Sequence, residues 1–404
     1  MAAAAFVMSF YGPLRILIAS GLAVAVEDVK GSMVYNAAFL SANYFDLGFI
    51  RRGLGGTISR LLGDDPFASA FRLHVMSVLL LIAAFVRLQL RVWGRVSAGA
   101  ALFMGLFVVV SPQTFVAWSW DEGRTDTLIL ALISWAALAV LARRPFVAAA
   151  LLWVGYLVHE TAIIFGVPLL VAISLANARS GESTRRRDSA ALATLIGALV
   201  LTMLIQAVAA PSRDEFISAM FRRAPAAVHS LDEDLIACAI YMMTTGLRGL
   251  VTSMCFNGYY PWYVPLVMTS VVVALLSAVA LGLDRVPVLF VLGVLLPMLF
   301  LNVVATDVGR WLKLAVASSW ILSIVVQSRG LVRFDGRRVA VGACILIALI
   351  SMGATRVYEV NRTSSKLLDR LGGEPYPVLS VWMTHCDPQW RDIVHRPGTG
   401  TEPQ

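Results

Sequence analysis

The chain has 404 residues, 58% of them hydrophobic and only 14% charged, with a mean hydropathy of +0.77. Soluble domains are near half apolar and a quarter charged, so this composition excludes an ordinary water-soluble enzyme and predicts an all-α polytopic membrane protein. The formal charge of +8 does not point to nucleic acid, because the basic residues lie between and beside apolar runs rather than on one face.

A helix that crosses a bilayer needs about 20 mostly apolar residues. By that measure the sequence predicts about eleven spans, and 9 to 11 if the doubtful runs are merged: 6–26, 73–90, 96–117, 127–142, 146–158, 161–177, 189–210, 262–283, 287–304, 311–327 and 339–356. No basic stretch precedes the first run and no small-residue cleavage site follows a short apolar one. It is therefore expected to stay as a span rather than leave as a signal peptide. The stretch from Phe146 to Asn177 is too long for one upright helix and too short for two comfortable ones. Arginines flank it on both sides (Arg143 and Arg144 before, Arg185, Arg186 and Arg187 after), which places both ends on the cytoplasmic side. Two crossings, or two half-helices meeting at His159-Glu160, satisfy that requirement.

With the N-terminus inside, the short cytoplasmic connectors carry most of the arginines, among them Arg91, Arg95, Arg143, Arg144, Arg333, Arg337 and Arg338. The short outer connectors carry only Arg124, Arg310 and Lys313. This asymmetry predicts an N-in, C-out topology. Residues 1–356 then form a transmembrane domain, with long outer loops at 27–72 and 211–261 that contain amphipathic interfacial helices (Ile58, Leu61 and Leu62; Phe216 and Met220). Residues 357–404 form a proline-containing extracytoplasmic tail. Cys344 reads as a packed small hydrophobe, and Cys238 and Cys255, on the outer side, are a possible disulfide.

The polar residues within this frame fall at the outer face. In the first outer loop, Asp46, Arg51 and Arg52 accompany Gly53, Gly55 and Gly56. Guanidinium groups beside glycine-rich backbone can clamp a phosphate, with Asp46 a candidate general base. Alternatively the arginines meet lipid headgroups and Asp46 caps a helix. The turn holding Asp121, Glu122, Arg124 and Asp126 is either a solvated connector with Asp126 at a helix start or a second source of a catalytic carboxylate. His159 and Glu160 interrupt an apolar run, and intramembrane ionisable residues mark function by default. The alternative is a buried, mutually satisfied pair. Arg310 either pairs with Asp307 three residues before it or joins the anion clamp. Trp118, Trp120, Tyr259, Tyr260, Trp262, Tyr263 and Trp311 read as an interfacial aromatic belt.

The succession of spans, the long first outer loop bearing an acid, and the motifs Leu47-Gly48-Phe49-Ile50-Arg51-Arg52-Gly53-Leu54-Gly55-Gly56-Thr57 and Asp307-Val308-Gly309-Arg310-Trp311 together resemble the GT-C class of polytopic glycosyltransferases. They are also similar to bacterial membrane proteins of surface-polysaccharide loci. The resemblance implies a multi-pass protein of the bacterial cytoplasmic (inner) membrane that moves a sugar from a polyprenyl-phosphate-linked donor to a glycan or lipid acceptor at the outer face. The class places its catalytic carboxylate in the first outer loop, which carries over to Asp46, or else to Asp28 or Glu27. The polar residues themselves suggest Asp46 or Asp121 as the base, His159 and Glu160 as the groups that orient it or the acceptor, and Arg51, Arg52, Arg124 and Arg310 as phosphate ligands. No cofactor is expected, although class members differ in their need for a divalent metal. The other readings are a polysaccharide polymerase or ligase acting on lipid-linked oligosaccharide, a transporter or flippase, and a non-catalytic assembly protein.

Overall fold

A computed structural model describes residues 40–50, 52–63, 65–111, 114, 125–181, 185–209, 215, 218, 222, 263–304 and 308–351. All regular structure among the described residues is helical. α1 spans Tyr44–Leu47, α2 Gly53–Leu62, α3 Pro66–Val92, α4 Ala98–Val110, α5 Asp126–Leu141, α6 Pro145–Val158, α7 Thr161–Arg179 and α8 Arg185–Val208. α9 is Tyr263–Ala280, followed by a 3-10 turn at Leu283–Arg285. α10 runs Pro287–Phe290, passes through a π-helical turn at Val291–Leu295 and continues as Leu296–Val304. α11 (Val308–Ser328) and α12 (Gly336–Ser351) complete the series.

The described parts of the expected runs from 73–90 onward fall on these helices, except that the run expected at 96–117 ends as helix at Val110; 6–26, the Cys238 and Cys255 positions and the tail lie outside the described residues. Four helical segments are long and apolar enough to cross a membrane: Ala68–Val92, Thr161–Arg179, Arg186–Val208 and Gly309–Ser328. Ala98–Val110, Asp126–Leu141, Pro145–Val158, Val267–Ala280 and Pro287–Val303 are shorter apolar helices. α3 starts at Pro66, well before the span expected at 73. Proline suits the first helical position, and Asp65 accepts from the Ala68 N–H at 3.4 Å, so the end of the first outer loop is already helix. Cys344 is exposed on α12 and so is not the packed residue expected. On an apolar helix that leaves part of its surface uncovered, sequence does not fix which face is covered.

The run 146–177 is a helical hairpin broken where the sequence placed the break. A Cβ on Gly155 would lie 2.8 Å from that of Ala162, and one on Gly166 would lie 2.5 Å from Leu152 Cδ2. Residues roughly equidistant from 159 therefore face one another, which makes α6 and α7 antiparallel. At about 1.5 Å per residue, α6 rises ~21 Å, less than the ~30 Å of a hydrocarbon core.

α11 is the axis of the bundle. It packs against α3, α5, α7, α9 and α10, and its apolar stretch is wholly buried. Several of its buried polar side chains are satisfied internally. Trp320 donates through Nε1 to the Met104 carbonyl (2.9 Å) and packs against Phe85 at 4.7 Å between ring centres. Ser323 donates to the Leu281 carbonyl (2.6 Å), and Gln327 donates to the Ser323 hydroxyl (2.8 Å). Small residues on this helix allow close packing where apolar surroundings provide no hydrophobic drive between helices.

The bundle has two distinct ends. At one, Arg95 reaches the Ser328 carbonyl (2.6 Å), Arg329 the Asn177 side chain (2.8 Å), and Arg338 grips Asp284 through two bonds (2.8 and 3.0 Å). The Arg143-Arg144 turn between α5 and α6 lies at this end too, since the hairpin order puts it opposite Asp126 and Val158. α1, α2, the start of α5, the α6–α7 break and the start of α11 meet at the other end.

Candidate functional site

At that second end the first outer loop folds into two short helices. Asn43 opens α1: its Oδ1 accepts from the N–H groups of Phe45 (2.9 Å) and Asp46 (3.1 Å), as a helix-capping side chain should. The same amide donates through Nδ2 to Asp46 Oδ2 at 2.6 Å. Arg60, in the last turn of α2, donates to the other Asp46 oxygen at 2.5 Å and rests over the Phe45 ring, 5.1 Å from its centre. Asn43, not Asp46, therefore caps the helix. The Asp46 carboxylate, 28% exposed, lies between an amide and a guanidinium with solvent access.

Arg52 caps α2 from a left-handed backbone conformation (φ 60°, ψ 10°), which is rare for a residue with a Cβ. Its guanidinium is forked onto Glu160: Nε donates to Oε2 at 2.9 Å and the terminal nitrogen donates to Oε1. The side chains are 15% and 23% exposed, and the planar fork matches the carboxylate.

Gly53 and Gly56 do not leave room for a phosphate. A Cβ on Gly56 would fall 1.9 Å from the Ala42 carbonyl oxygen, and one on Gly53 would fall 2.4 Å from the Tyr44 ring. Their open faces are filled by the protein's own chain, so they serve close packing of α2 rather than the anion cradle the sequence suggested. The Tyr44 phenol is pushed up to about 12 by burial first and by neighbouring Tyr156 second, with the Leu54 backbone N–H acting in the opposite direction. Tyr156 donates to Gln206 Oε1 (3.1 Å), and Gln206 donates to the Ile50 carbonyl (3.2 Å), which ties α6 and α8 to the loop.

His159 ends α6 in an extended conformation (φ −169°) and is buried. The Thr161 backbone N–H donates to its Nδ1 at 3.2 Å, and the Thr161 hydroxyl lies 3.1 Å from the same atom. Nδ1 is thus an acceptor, so the neutral ring carries its proton on Nε2. Glu160 Oε2 is 3.6 Å from Nδ1 but directs its hydrogen bonding to Arg52.

Across the same end, Arg310 of α11 is forked onto Asp126, the first residue of α5, through both Nε and a terminal nitrogen. The pair is almost enclosed, at 15% and 8% exposure, and the guanidinium also faces Trp311 at 5.1 Å. Trp311 is only 3% exposed, so it belongs to the bundle interior and not to an interfacial belt. A Cβ on Gly55 would lie 3.3 Å from Thr125 Cγ2 and 3.9 Å from Val158 Cγ1. α2 therefore touches the residue before Asp126 and the residue before His159, and both forked pairs border one locus.

Of the residues singled out in sequence, Asp46, Arg52, His159, Glu160 and Arg310 come to this end; Arg51, Asp121 and Arg124 lie outside the described residues. Sequence reasoning did not identify Asp126 as the partner of Arg310, Arg60 as the partner of Asp46, or Thr161 as the residue fixing the His159 tautomer. An acid at the first position of an apolar helix was the available signal for Asp126. Among the described residues no group of three His, Cys, Asp or Glu side chains is gathered as a metal site. No family model, curated protein or solved structure matches the chain.

Proposed function

We propose that the chain is a multi-pass glycosyltransferase of the bacterial cytoplasmic membrane, with about eleven spans and an N-in, C-out topology. It would take its sugar from a polyprenyl-phosphate-linked donor and pass it to a glycan or lipid acceptor at the outer face. One observation carries this reading: Asp46–Arg60, Arg52–Glu160 and Asp126–Arg310 are collected at one end of the bundle, opposite the end where the arginine-rich connectors meet. A positive end fits the cytoplasmic side, and paired carboxylates and guanidinium groups at the other end are the chemistry of an anionic, lipid-linked substrate.

In this mechanism the acceptor hydroxyl loses its proton to Asp46 as its oxygen bonds to the anomeric carbon, and the bond from that carbon to the lipid phosphate breaks with its electron pair leaving on the phosphate. Arg52 and Arg310 neutralise the departing phosphate, and the His159 Nε2–H orients a hydroxyl as a donor. Separate Asp46→Asn and Arg52→Gln variants, expressed at wild-type level, are expected to lose surface glycan; full product from both would end the proposal.

A second reading, a non-catalytic assembly protein, is favoured by the fact that both forked guanidinium groups already grip carboxylates of the chain itself. The exchanged pair Arg52→Glu with Glu160→Arg separates the two. Restored folding with restored glycan supports the assembly role, whereas restored folding without glycan supports catalysis.

A further inference from the structure

We propose that the outer-end half of α3 holds one acidic phospholipid, its phosphate on Arg72 and one acyl chain along Val75, Met76, Leu79 and Leu80. These residues, with Phe71, line an open cleft of about 490 Å³. Every lining side chain except Arg72 is apolar, and Leu79 and Leu80 are 47% and 38% exposed. Apolar surface of this kind, on a helix long and apolar enough to cross a membrane, calls for hydrocarbon against it.

The charge at the head of the cleft selects the occupant. Arg52, Arg60, Arg310 and Arg338 each grip a carboxylate. Arg72 instead donates to the carbonyl of Leu62, the last residue of α2, and has no carboxylate partner among the described residues. Asp65, the nearest acid in sequence, accepts from the Ala68 N–H in opening α3. Arg72 also lies against Gly63, where a Cβ would meet its terminal nitrogen at 2.5 Å, which places the guanidinium at the junction of α2 and α3. A guanidinium with no carboxylate partner among the described residues, set above an apolar cleft, complements an anionic headgroup over an acyl chain. A zwitterionic headgroup, with its own cation beside the phosphate, fits it less well. The proposal does not depend on the transferase reading.

The test uses the full chain in lipid nanodiscs of phosphatidylcholine containing phosphatidylglycerol, with co-purifying lipids counted by native mass spectrometry. The wild type is expected to retain one phosphatidylglycerol in preference to phosphatidylcholine by about tenfold, the worth of one charged hydrogen bond. Arg72→Gln should abolish the preference and Arg72→Lys should keep most of it. Met76→Trp, which fills the cleft and leaves Arg72 in place, should lose the lipid altogether. Leu204→Trp on the exposed face of α8 should change nothing. Unaltered preference in Arg72→Gln, or lipid retained by Met76→Trp, would overturn the site. Displacement of phosphatidylglycerol by an equimolar polyprenyl phosphate would overturn the choice of a phospholipid as occupant.

Discussion

The Arg52 guanidinium closes on both carboxylate oxygens of Glu160, so a residue at the start of α2 is locked to the break between α6 and α7, 108 positions along the chain. The pair is mostly enclosed, and its arginine is held in a left-handed backbone conformation that costs on the order of 1 kcal/mol or more. Removing one partner leaves the other desolvated and without the fork. Arg52→Gln and Glu160→Gln are each expected to lower stability by about 1–3 kcal/mol, below the range for fully buried pairs because both groups retain some solvent. The double variant should cost less than the sum of the two. Thermal unfolding of the four proteins in one detergent checks this, and simple additivity would show that the fork contributes nothing of its own.

Gly56 and Gly99 make contrasting predictions. At Gly56 a Cβ would collide with backbone, the Ala42 carbonyl oxygen at 1.9 Å, and backbone does not move aside as a side chain does. Gly56→Ala should cost at least about 3 kcal/mol, at or beyond the upper end of overpacking, and should displace the α1–α2 pair. At Gly99, in the first turn of α4, a Cβ meets nothing within 4 Å, so Gly99→Ala should be neutral or stabilising by up to about 1 kcal/mol. Equal unfolding temperatures for the two variants would contradict the packing described for α2.

The break at His159-Glu160 was legible because a run of that length cannot be one helix, and the two ends of the bundle were legible because arginines mark connectors. Partner choice was not. Nothing local marks Asp126 as a partner of Arg310, since that pairing rests on where α5 and α11 begin relative to each other in space. The glycines of α2 illustrate the same limit: a run of small residues beside arginines suits either an anion or a close backbone neighbour. Facing was hidden for a third reason. α5 buries nearly every residue, so its sequence has no polar stripe to show which side meets which neighbour.

Asp284 and Arg338 make the prediction for acid. Arg338 donates two hydrogen bonds to the Asp284 carboxylate and holds it below the ordinary value of 3.8, against a smaller opposing effect of burial. A carboxyl group depressed in the folded state contributes stability above its unfolded value and loses it as pH falls through the folded one. The wild type should therefore be more stable than Asp284→Asn at neutral pH, and the difference should shrink below about pH 4. The effect is small because the pair is partly exposed. Unfolding temperatures of both proteins across this range decide it, and a gap that widens on acidification would assign the wrong sign to the interaction.

Asp126 and Arg310 are more enclosed than any other described arginine–carboxylate pair, and they join the start of α5 to the central helix. Charge alone does not account for the arrangement, because the guanidinium uses two nitrogens on the carboxylate while its face lies against Trp311. Lysine would keep the charge but lose both the fork and the stacked plane. Arg310→Lys is therefore expected to lose about 1–3 kcal/mol of stability and Asp126→Asn about 2–4 kcal/mol, since the latter leaves a nearly buried cation without its counter-charge. The exchange Asp126→Arg with Arg310→Asp should recover little, because the tryptophan face then meets a carboxylate. Unfolding measurements on these variants check the order, and an Arg310→Lys protein as stable as the wild type would reduce the pair to a simple charge contact.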